Sequence, residues 1–427
     1  MPLLDAAAQH RYLLHMAETR SELSLPADLT VIGAGPVGTA LAILAARAGF
    51  ATVLVDARPE AATPATDTRT FAIVRGSWRM LLVTGVGPDL APVITPLNGL
   101  EAEDGGAHVF GAPRAAFGTA DLKPGRSGEP LGQMVPAGAL QAALDRQAEA
   151  TPGLTWLRDA RFSGMSAGPA GISVRLEDGR TIASALIAAC DGIHSAVRQA
   201  AGIRTEGRDY GKSVFAADVA LSRPHHGIAR QLFTPEGPFA TLPLPGDRAN
   251  LAWYMKAGAA ETLVKLPAAQ IEAELNARFE RFAGRMRLDG PPLAYPLVMQ
   301  IAVAMTGARV ALLGDAARRI NPLAGQGLNL GFKDAAALID VIGEARTTGL
   351  DPGSDTVLAR YGEWRRFDAA ATAMVMDLID RAFSNDHFLL KPLRGMALMA
   401  ANRVRPLRRA LAAQASADQS HLPSLMR

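Results

Sequence analysis

The sequence predicts an α/β fold, in which a unit with parallel strands is assembled from separated stretches of chain and an antiparallel β-sheet is inserted into it. Three observations predict this. Residues 29–56 read as strand, glycine turn, helix and strand. Residues 154–255 turn to strand patterning punctuated by Gly and Pro. Residues 308–338 return to an apolar strand, a glycine-rich turn and a helix. The chain of 427 residues is long for one core, so two domains, or one large domain with insertions, are expected.

Each element has its own justification. Leu29–Ile32 is a short apolar run that ends in Gly-Ala-Gly-Pro-Val-Gly, and the helix after it has a natural stop at Gly49. Ala-Thr-Val-Leu-Val-Asp, ending in Asp56, is rich in β-branched residues and reads as a buried strand. A strand–turn–helix–strand unit of this kind has parallel strands. Residues 69–86 are expected to be helical with a break at Gly85, and Gly105–Pro130 to be loop. Ala137–Ala150 is a helix, and Leu154–Cys190 strands with a hairpin at Glu177–Arg180. Asp209–Met255 is β-structure and Leu266–Phe282 helix; strands return over 293–305 and 308–315. Thr356–Ala413 is mainly helical, with breaks near Pro392 and Pro406.

Composition narrows the function. With 49% hydrophobic and 20% charged residues the chain is a folded protein, not a disordered one. A formal charge of +3 does not mark a nucleic-acid binder. One cysteine, Cys190, makes neither an internal disulfide nor a thiolate metal site. His225-His226 is the only close histidine pair and reads as polar loop, so no metal is expected. Charges interrupt the first 25 residues, so no secretory signal is expected there. No apolar run reaches the ~18 residues of a spanning helix, and a cytoplasmic location is expected. Met16 heads a second start that keeps the first strand, so Met1–His15 is expected to be dispensable.

Three stretches carry chemistry. In the first, Gly33-x-Gly35-x-x-Gly38, a glycine-lined turn lets backbone N–H groups approach a pyrophosphate, and the helix N-terminus favours its charge. Asp56, eighteen residues beyond Gly38, stands where a carboxylate accepts ribose hydroxyls. Together these predict a Rossmann-like dinucleotide site and do not separate NAD from FAD. The second is Asp191-Gly192 at a strand end; it reads equally as a helix cap, with Ser195 and Arg198 on a polar face. The third is Gly314-Asp315 followed by a loop with Gly325, Gly327 and Gly331; a helix from about Gly327–Asn329 would present free N–H groups and partial positive charge.

Taken together, these stretches resemble the FAD-dependent aromatic hydroxylases, the flavoprotein monooxygenases of the p-hydroxybenzoate hydroxylase fold. The resemblance runs from about Thr30 to about Ala413. Asp67–Ile73, Leu232–Leu244, Pro322–Leu338 and Phe383–Leu398 are similar to the ubiquinone-biosynthesis hydroxylases within that group. It implies a discontinuous FAD-binding domain of glutathione-reductase type over 26–105, 130–205 and 300–355. A β-rich substrate domain would take 106–129 and 206–299, between a 1–25 extension and a helical 356–427 region. It places Gly33, Gly35, Pro36, Val37 and Gly38 at the FAD pyrophosphate, Asp56 with Arg58 at the adenosine ribose, and Arg69 near the flavin. Asp191 and Gly192 would serve FAD, and Gly314 and Asp315 its ribityl or pyrophosphate part. Pro322, Gly325, Gln326, Gly327, Leu328 and Asn329 would lie against the isoalloxazine ring.

The resemblance implies a reaction as well. Reduced FAD and O2 would give a C4a-hydroperoxide that hydroxylates a polyprenylated phenol, with NAD(P)H or another reductant as electron donor. No residue of the chain is a covalent catalyst. Phe215, Phe233, Phe239, Leu242, Leu244 and Trp253 would line an apolar channel for the prenyl chain, or else be ordinary core. Six basic residues from Lys391 to Arg409, interleaved with apolar ones, suggest contact with the inner membrane or a ubiquinone-synthesis complex, against the alternative of a solvated basic face. Arg318 and Asn321 stand where many relatives have His, and Ala137 where many have Arg or Asn. The same motifs would serve a hydroxylase of another small aromatic, or a catalytically silent FAD-binding subunit.

Overall fold

The computed structural model describes residues 24–59, 69–105, 113–122, 128–319, 326–366, 408–409, 413 and 422–427. The expectations for Met1–His15, Asp67, Asn321, Pro322, Gly325 and the whole 367–407 region lie outside the described residues, as does the side chain of Gln326.

β1 (Ser24–Ile32), α1 (Pro36–Arg47) and β2 (Thr52–Val55) form the strand–turn–helix–strand unit. β3 (Thr70–Val74), α2 (Arg75–Val83), β4 (Thr95–Leu97), β5 (Gly99–Asp104), β6 (Arg114–Gly118) and β7 (Gly132–Pro136) follow. Then come α3 (Ala137–Glu149), β8 (Leu154–Leu157), β9 (Phe162–Ala167), β10 (Ile172–Leu176) and β11 (Thr181–Ala189). The middle holds β12 (Thr205–Leu221), β13 (Ile228–Thr234), β14 (Gly237–Leu244), β15 (Arg248–Lys256), α4 (Ala268–Ala283), β16 (Met286–Leu288) and β17 (Leu293–Ala302). The chain returns through β18 (Thr306–Gly307), β19 (Val310–Leu312), β20 (Arg318–Arg319) and α5 (Gln326–Thr347), and residues 355–366 are helical.

Three sheets result among the described residues. The first is eight-stranded and runs β18-β19-β11-β1-β2-β8, with β10 and β9 appended to β11. From β19 to β8 its pairs are parallel. Strands of a parallel sheet are covered on both faces, which is why β2 and the end of β11 are buried without a break. Helix α1 is apolar all round because it packs on that sheet and against both α3 and α5. The second sheet is nine-stranded, β20-β17-β12-β15-β14-β13-β5-β6 with β16 on β12. All its pairs are antiparallel except β13 with β5. A small sheet, β3-β7-β4, is the third.

Two expectations are corrected. Residues 69–86 are not one helix: Thr-Phe-Ala-Ile-Val pairs with β7 as β3 before α2 begins. These are β-branched and aromatic residues, so the available strand partner decides the conformation of a short apolar run. The boundary at 105 also moves. Gly99–Asp104 pairs with both β13 and β6, so it belongs to the second sheet, and part of the supposed loop after it is strand.

Register sorts the middle segment. Phe215, Trp253 and Phe239 share one face of the second sheet, which α4 covers. Phe239 stacks on Phe279 at 3.8 Å, and Trp253 meets the same ring edge-on at 5.0 Å. Val214, Tyr254, Leu297 and Tyr295 cluster on the other face. The expected apolar channel therefore loses Phe215, Phe239 and Trp253 to the core, while the β14 alternation puts Leu242 on the opposite face from Phe239.

The last residues return to the first domain. Leu422 and Met426 are buried in its core beside α2 and α5, and Ser424 bonds through its N–H and hydroxyl to Asp340 of α5.

Candidate functional site

Four neighbouring parallel strands end at the same edge of the first sheet, where ligands of open α/β sheets bind. In spatial order, β19 leads to Gly314-Asp315, β11 to Asp191-Gly192, β1 to the glycine turn and β2 to Asp56. Stretches nearly three hundred residues apart thus share one cleft edge.

The glycine turn is built by close approach. A Cβ on Gly38 would lie 1.9 Å from the Gly33 carbonyl oxygen. Gly33 has φ +100° and hydrogen-bonds to the Val55 carbonyl at 2.8 Å. Gly35 caps α1 with no side chain on the free N–H groups, Pro36 begins the helix, and nothing lies within 4 Å of where a Gly35 Cβ would be. Val37 packs into the space left by Gly331 and touches the region of Gly314, joining the first motif to the third.

The Ala34 carbonyl between these glycines accepts three side chains: Thr39 at 3.0 Å, Arg58 at 2.7 Å and Gln141 at 3.0 Å. Arg58 also donates to Asp56 at 2.6 Å and reaches Asp145 at 3.5 Å. Gln141 in turn donates to Asp145 at 2.6 Å. Burial raises the Asp145 pKa above the ordinary carboxylate value, against the pull of Gln141 and Arg58. Arg58 is thus a brace between the turn, Asp56 and α3, while Gln141 and Asp145 are partners the sequence did not single out.

At the second motif one oxygen of Asp191 accepts the Val197 N–H at 3.1 Å. The other, Oδ1, is buried and has no partner among the described residues. Ser195 caps the short helix 196–200. Arg198 does not lie on a polar face: it is buried, and donates to the carbonyls of Ala316 at 2.8 Å and Ile193 at 2.9 Å. It ties the second motif to the third.

The third motif holds its aspartate open. From Val310 to Arg318 every residue is buried except Asp315. Solvent reaches the Asp315 carboxylate, yet surrounding protein desolvates it and raises its pKa, against the opposing pull of Arg319, Arg69 and Arg318. Asn329 also has a structural role. Its side chain accepts from the Val74 N–H at 3.0 Å and donates to the Ala72 carbonyl at 2.7 Å, pinning β3 to the first turn of α5. Gly327 and Leu328 are half-buried beside it.

Tyr295 of the second sheet feels charges that also act at this edge. Burial raises its phenol pKa, while the charges of Arg69 and Arg319 lower it. The same two arginines act on Asp315. Arg69 lies near the ring of Phe71 at 5.5 Å, and its carbonyl accepts the N–H of Ala137 at 2.8 Å, the first residue of α3. Tyr295, Arg319, Asp334 and Arg365 were missed in the sequence. Asp334 alone carried a signal, as an acid within the apolar stretch of α5.

Comparison with known proteins decides the family. Residues 27–376 match the family described as FAD binding domain. The chain belongs to it. FAD is its cofactor, and it is an FAD-dependent monooxygenase of the aromatic-hydroxylase kind. It is 35% identical over 385 residues to the ubiquinone hydroxylase UbiL of Rhodospirillum rubrum, covering 90% of this chain and 88% of that one. It is 34% identical over 392 residues to the 3-demethoxyubiquinol 3-hydroxylase of Escherichia coli, covering 90% and 97%. In fold it is similar to p-nitrophenol 4-monooxygenase from Pseudomonas putida, with a TM-score of 0.73 and 18% identity over 92% of this chain and 98% of that one. Among the described residues no helix is long and apolar enough to cross a membrane.

Proposed function

We propose that this chain hydroxylates the aromatic ring of a polyprenylated phenol in ubiquinone biosynthesis, consuming O2 and electrons from NAD(P)H or another reductant. Relatives named for ubiquinone hydroxylation support the substrate class. The observation that carries the reading is that Asp315, at the end of the parallel sheet, and Tyr295, on the face of the second sheet that α4 leaves uncovered, both feel the charges of Arg69 and Arg319.

The residues suit FAD. Gly33, Gly35, Pro36, Val37 and Gly38 leave a cradle beside an uncapped helix end, fit for a pyrophosphate. Asp56, braced by Arg58, would take the adenosine ribose. The unpartnered oxygen of Asp191 and the open carboxylate of Asp315 would accept further hydroxyls. The first turn of α5, Gln326–Asn329, would set its partial positive charge toward the flavin N1–C2=O end. Bound FAD, once reduced, activates O2 for transfer of one oxygen atom to the ring. The chain itself must hold the phenol, exclude water and favour the phenolate. Burial raises the Tyr295 phenol, but the charges of Arg69 and Arg319 oppose that rise, and would favour the ionised form of a substrate phenol in the same way.

The substrate unit is read as the nine-stranded sheet with α4, and the cofactor unit as the eight-stranded sheet with α1, α3 and α5. A cytoplasmic enzyme that meets the inner membrane peripherally through its basic tail fits an apolar substrate. Of that tail Arg408 is already engaged, in an ion pair with Asp121. Metabolite analysis of a deletion strain tests the function. An accumulated prenylphenol lacking one ring hydroxyl is expected; normal quinone levels would refute the assignment.

A further inference from the structure

One buried carboxylate holds both ends of the turn that carries Asp315. Asp334, on α5, accepts the Gly314 N–H at 3.0 Å through Oδ2. Through Oδ1 it accepts Arg318 Nη2 at 2.6 Å and Arg365 Nε at 2.6 Å. All three side chains are buried. Between Gly314 and Arg318 the turn is held once more, at the Ala316 carbonyl, by Arg198. Gly314 itself has φ +55°, a conformation that depends on its surroundings to persist. Asp315 is the one residue of the turn that faces solvent.

We propose that Asp334 is a positioning residue for Asp315: with Arg318 it fixes the 314–318 turn so that the Asp315 carboxylate is already oriented for the cofactor. Burying a carboxylate beside two guanidiniums is costly for stability alone, and an apolar packing would serve a mere core as well. What apolar residues cannot supply is one group that accepts from a backbone N–H and from a guanidinium at the two ends of one turn. The segment 355–366 enters through Arg365, which shares Oδ1 and so limits how the carboxylate can rotate.

The inference rests on Asp315 being a cofactor contact, and the test separates the two. FAD dissociation constants are measured by flavin fluorescence on reconstituted apoprotein for D315N, D334N and the double variant. D315N and D334N are each expected to weaken FAD by about tenfold, as loss of a hydrogen bond to a charged group does. The double variant is expected to be weaker than D315N by less than about threefold, because coupled residues are not additive. Fully additive losses, or an unchanged D334N, overturn the positioning role and leave Asp315 in place. An unchanged D315N overturns both. Should D334N not fold, Arg318→Lys keeps the charge and loses the guanidinium whose Nη2 reaches Asp334. It is expected to weaken FAD in the native background and not in the D315N background, and additive losses again overturn the proposal.

Discussion

A Cβ on Gly33 would sit 2.5 Å from the carbonyl oxygen of Cys190. The turn after β1 and the strand end of β11 are therefore in backbone contact, with no room for a side chain between them. Cys190 also donates its N–H to the Ile32 carbonyl at 2.8 Å. The first motif is thus shaped as much by the second as by its own residues, and its glycines fall into two physical kinds.

Gly38→Ala and Gly35→Ala separate those kinds. The first brings a methyl to 1.9 Å from the Gly33 oxygen, and the second meets nothing within 4 Å. Gly35 has φ −70°, which alanine adopts freely. Gly38→Ala is expected to lower the melting temperature of the apoprotein and to abolish FAD binding. Gly35→Ala is expected to leave the apoprotein melt unchanged and weaken FAD, because its methyl would stand in the cradle. A Gly35→Ala protein with normal flavin content would move the pyrophosphate elsewhere.

Arg365→Met is expected to destabilise the fold by about 3–5 kcal/mol, the cost of removing one partner from a buried ion pair. Both Arg365 and Asp334 are buried. Arg360, five residues earlier, pairs with Glu344 in open solvent at 2.6 Å. Such pairs contribute little, so Arg360→Met should melt like the parent protein. Chemical denaturation of both variants decides it; equal effects would mean that burial does not govern these pairs.

The edge at which the motifs meet was legible because backbone geometry demands particular residues there. Gly33, Gly38, Asp56, Asp191 and Gly314-Asp315 follow apolar strands in a pattern that close approach and charge require. The sheet faces were not legible. Along β12 and β15 both faces carry apolar residues, so alternation cannot say whether Phe215 and Trp253 or Val214 and Tyr254 lie under a helix. The packing of α4 settles it, and α4 is distant in sequence. β5 was lost for a similar reason: its parallel partner β13 lies more than a hundred residues on.

Asp315 predicts a pH dependence. Its folded-state pKa is raised above 3.8, chiefly by desolvation. The ionised carboxylate is therefore disfavoured in the apoprotein, and stability falls as pH rises through the folded pKa. Asp315→Asn removes that cost. The variant apoprotein should melt higher than the parent at neutral pH, and the gain should shrink as pH drops through the carboxylate range. Melting curves at several pH values check this; a gain constant with pH would rule out ionisation as the cause. Greater apoprotein stability with weaker FAD binding is the usual exchange at a functional site.

The C-terminal residues are core, which changes how the basic tail must be tested. Removing 422–427 takes away buried Leu422 and Met426 and the Ser424 bonds to Asp340. Burying two such side chains is worth about 3 kcal/mol or more. The truncated protein should therefore unfold at lower denaturant whatever the tail does at a membrane. Charge reversal at Lys391, Arg394, Arg403 and Arg405, with the chain end intact, is the clean comparison. Flotation with anionic vesicles should be lost in that variant and its melt preserved. Equal flotation of parent and variant would refute membrane contact through these charges.

The two faces of the second sheet make the sharpest contrast. Phe239 is buried against Phe279 under α4, so Phe239→Ala should cost about 3–5 kcal/mol by leaving a cavity. Its effect on the substrate KM should be small, since α4 covers that face. Tyr295 lies on the other face, under the charges of Arg69 and Arg319. Tyr295→Phe keeps the ring and removes only the hydroxyl, so stability should hardly change. If that hydroxyl bonds the substrate phenol, KM should rise about tenfold, the worth of a hydrogen bond of roughly 1.4 kcal/mol. A Tyr295→Phe enzyme with unchanged KM, beside a Phe239→Ala enzyme with a raised one, would reverse the assignment of faces and place the ring under α4 instead.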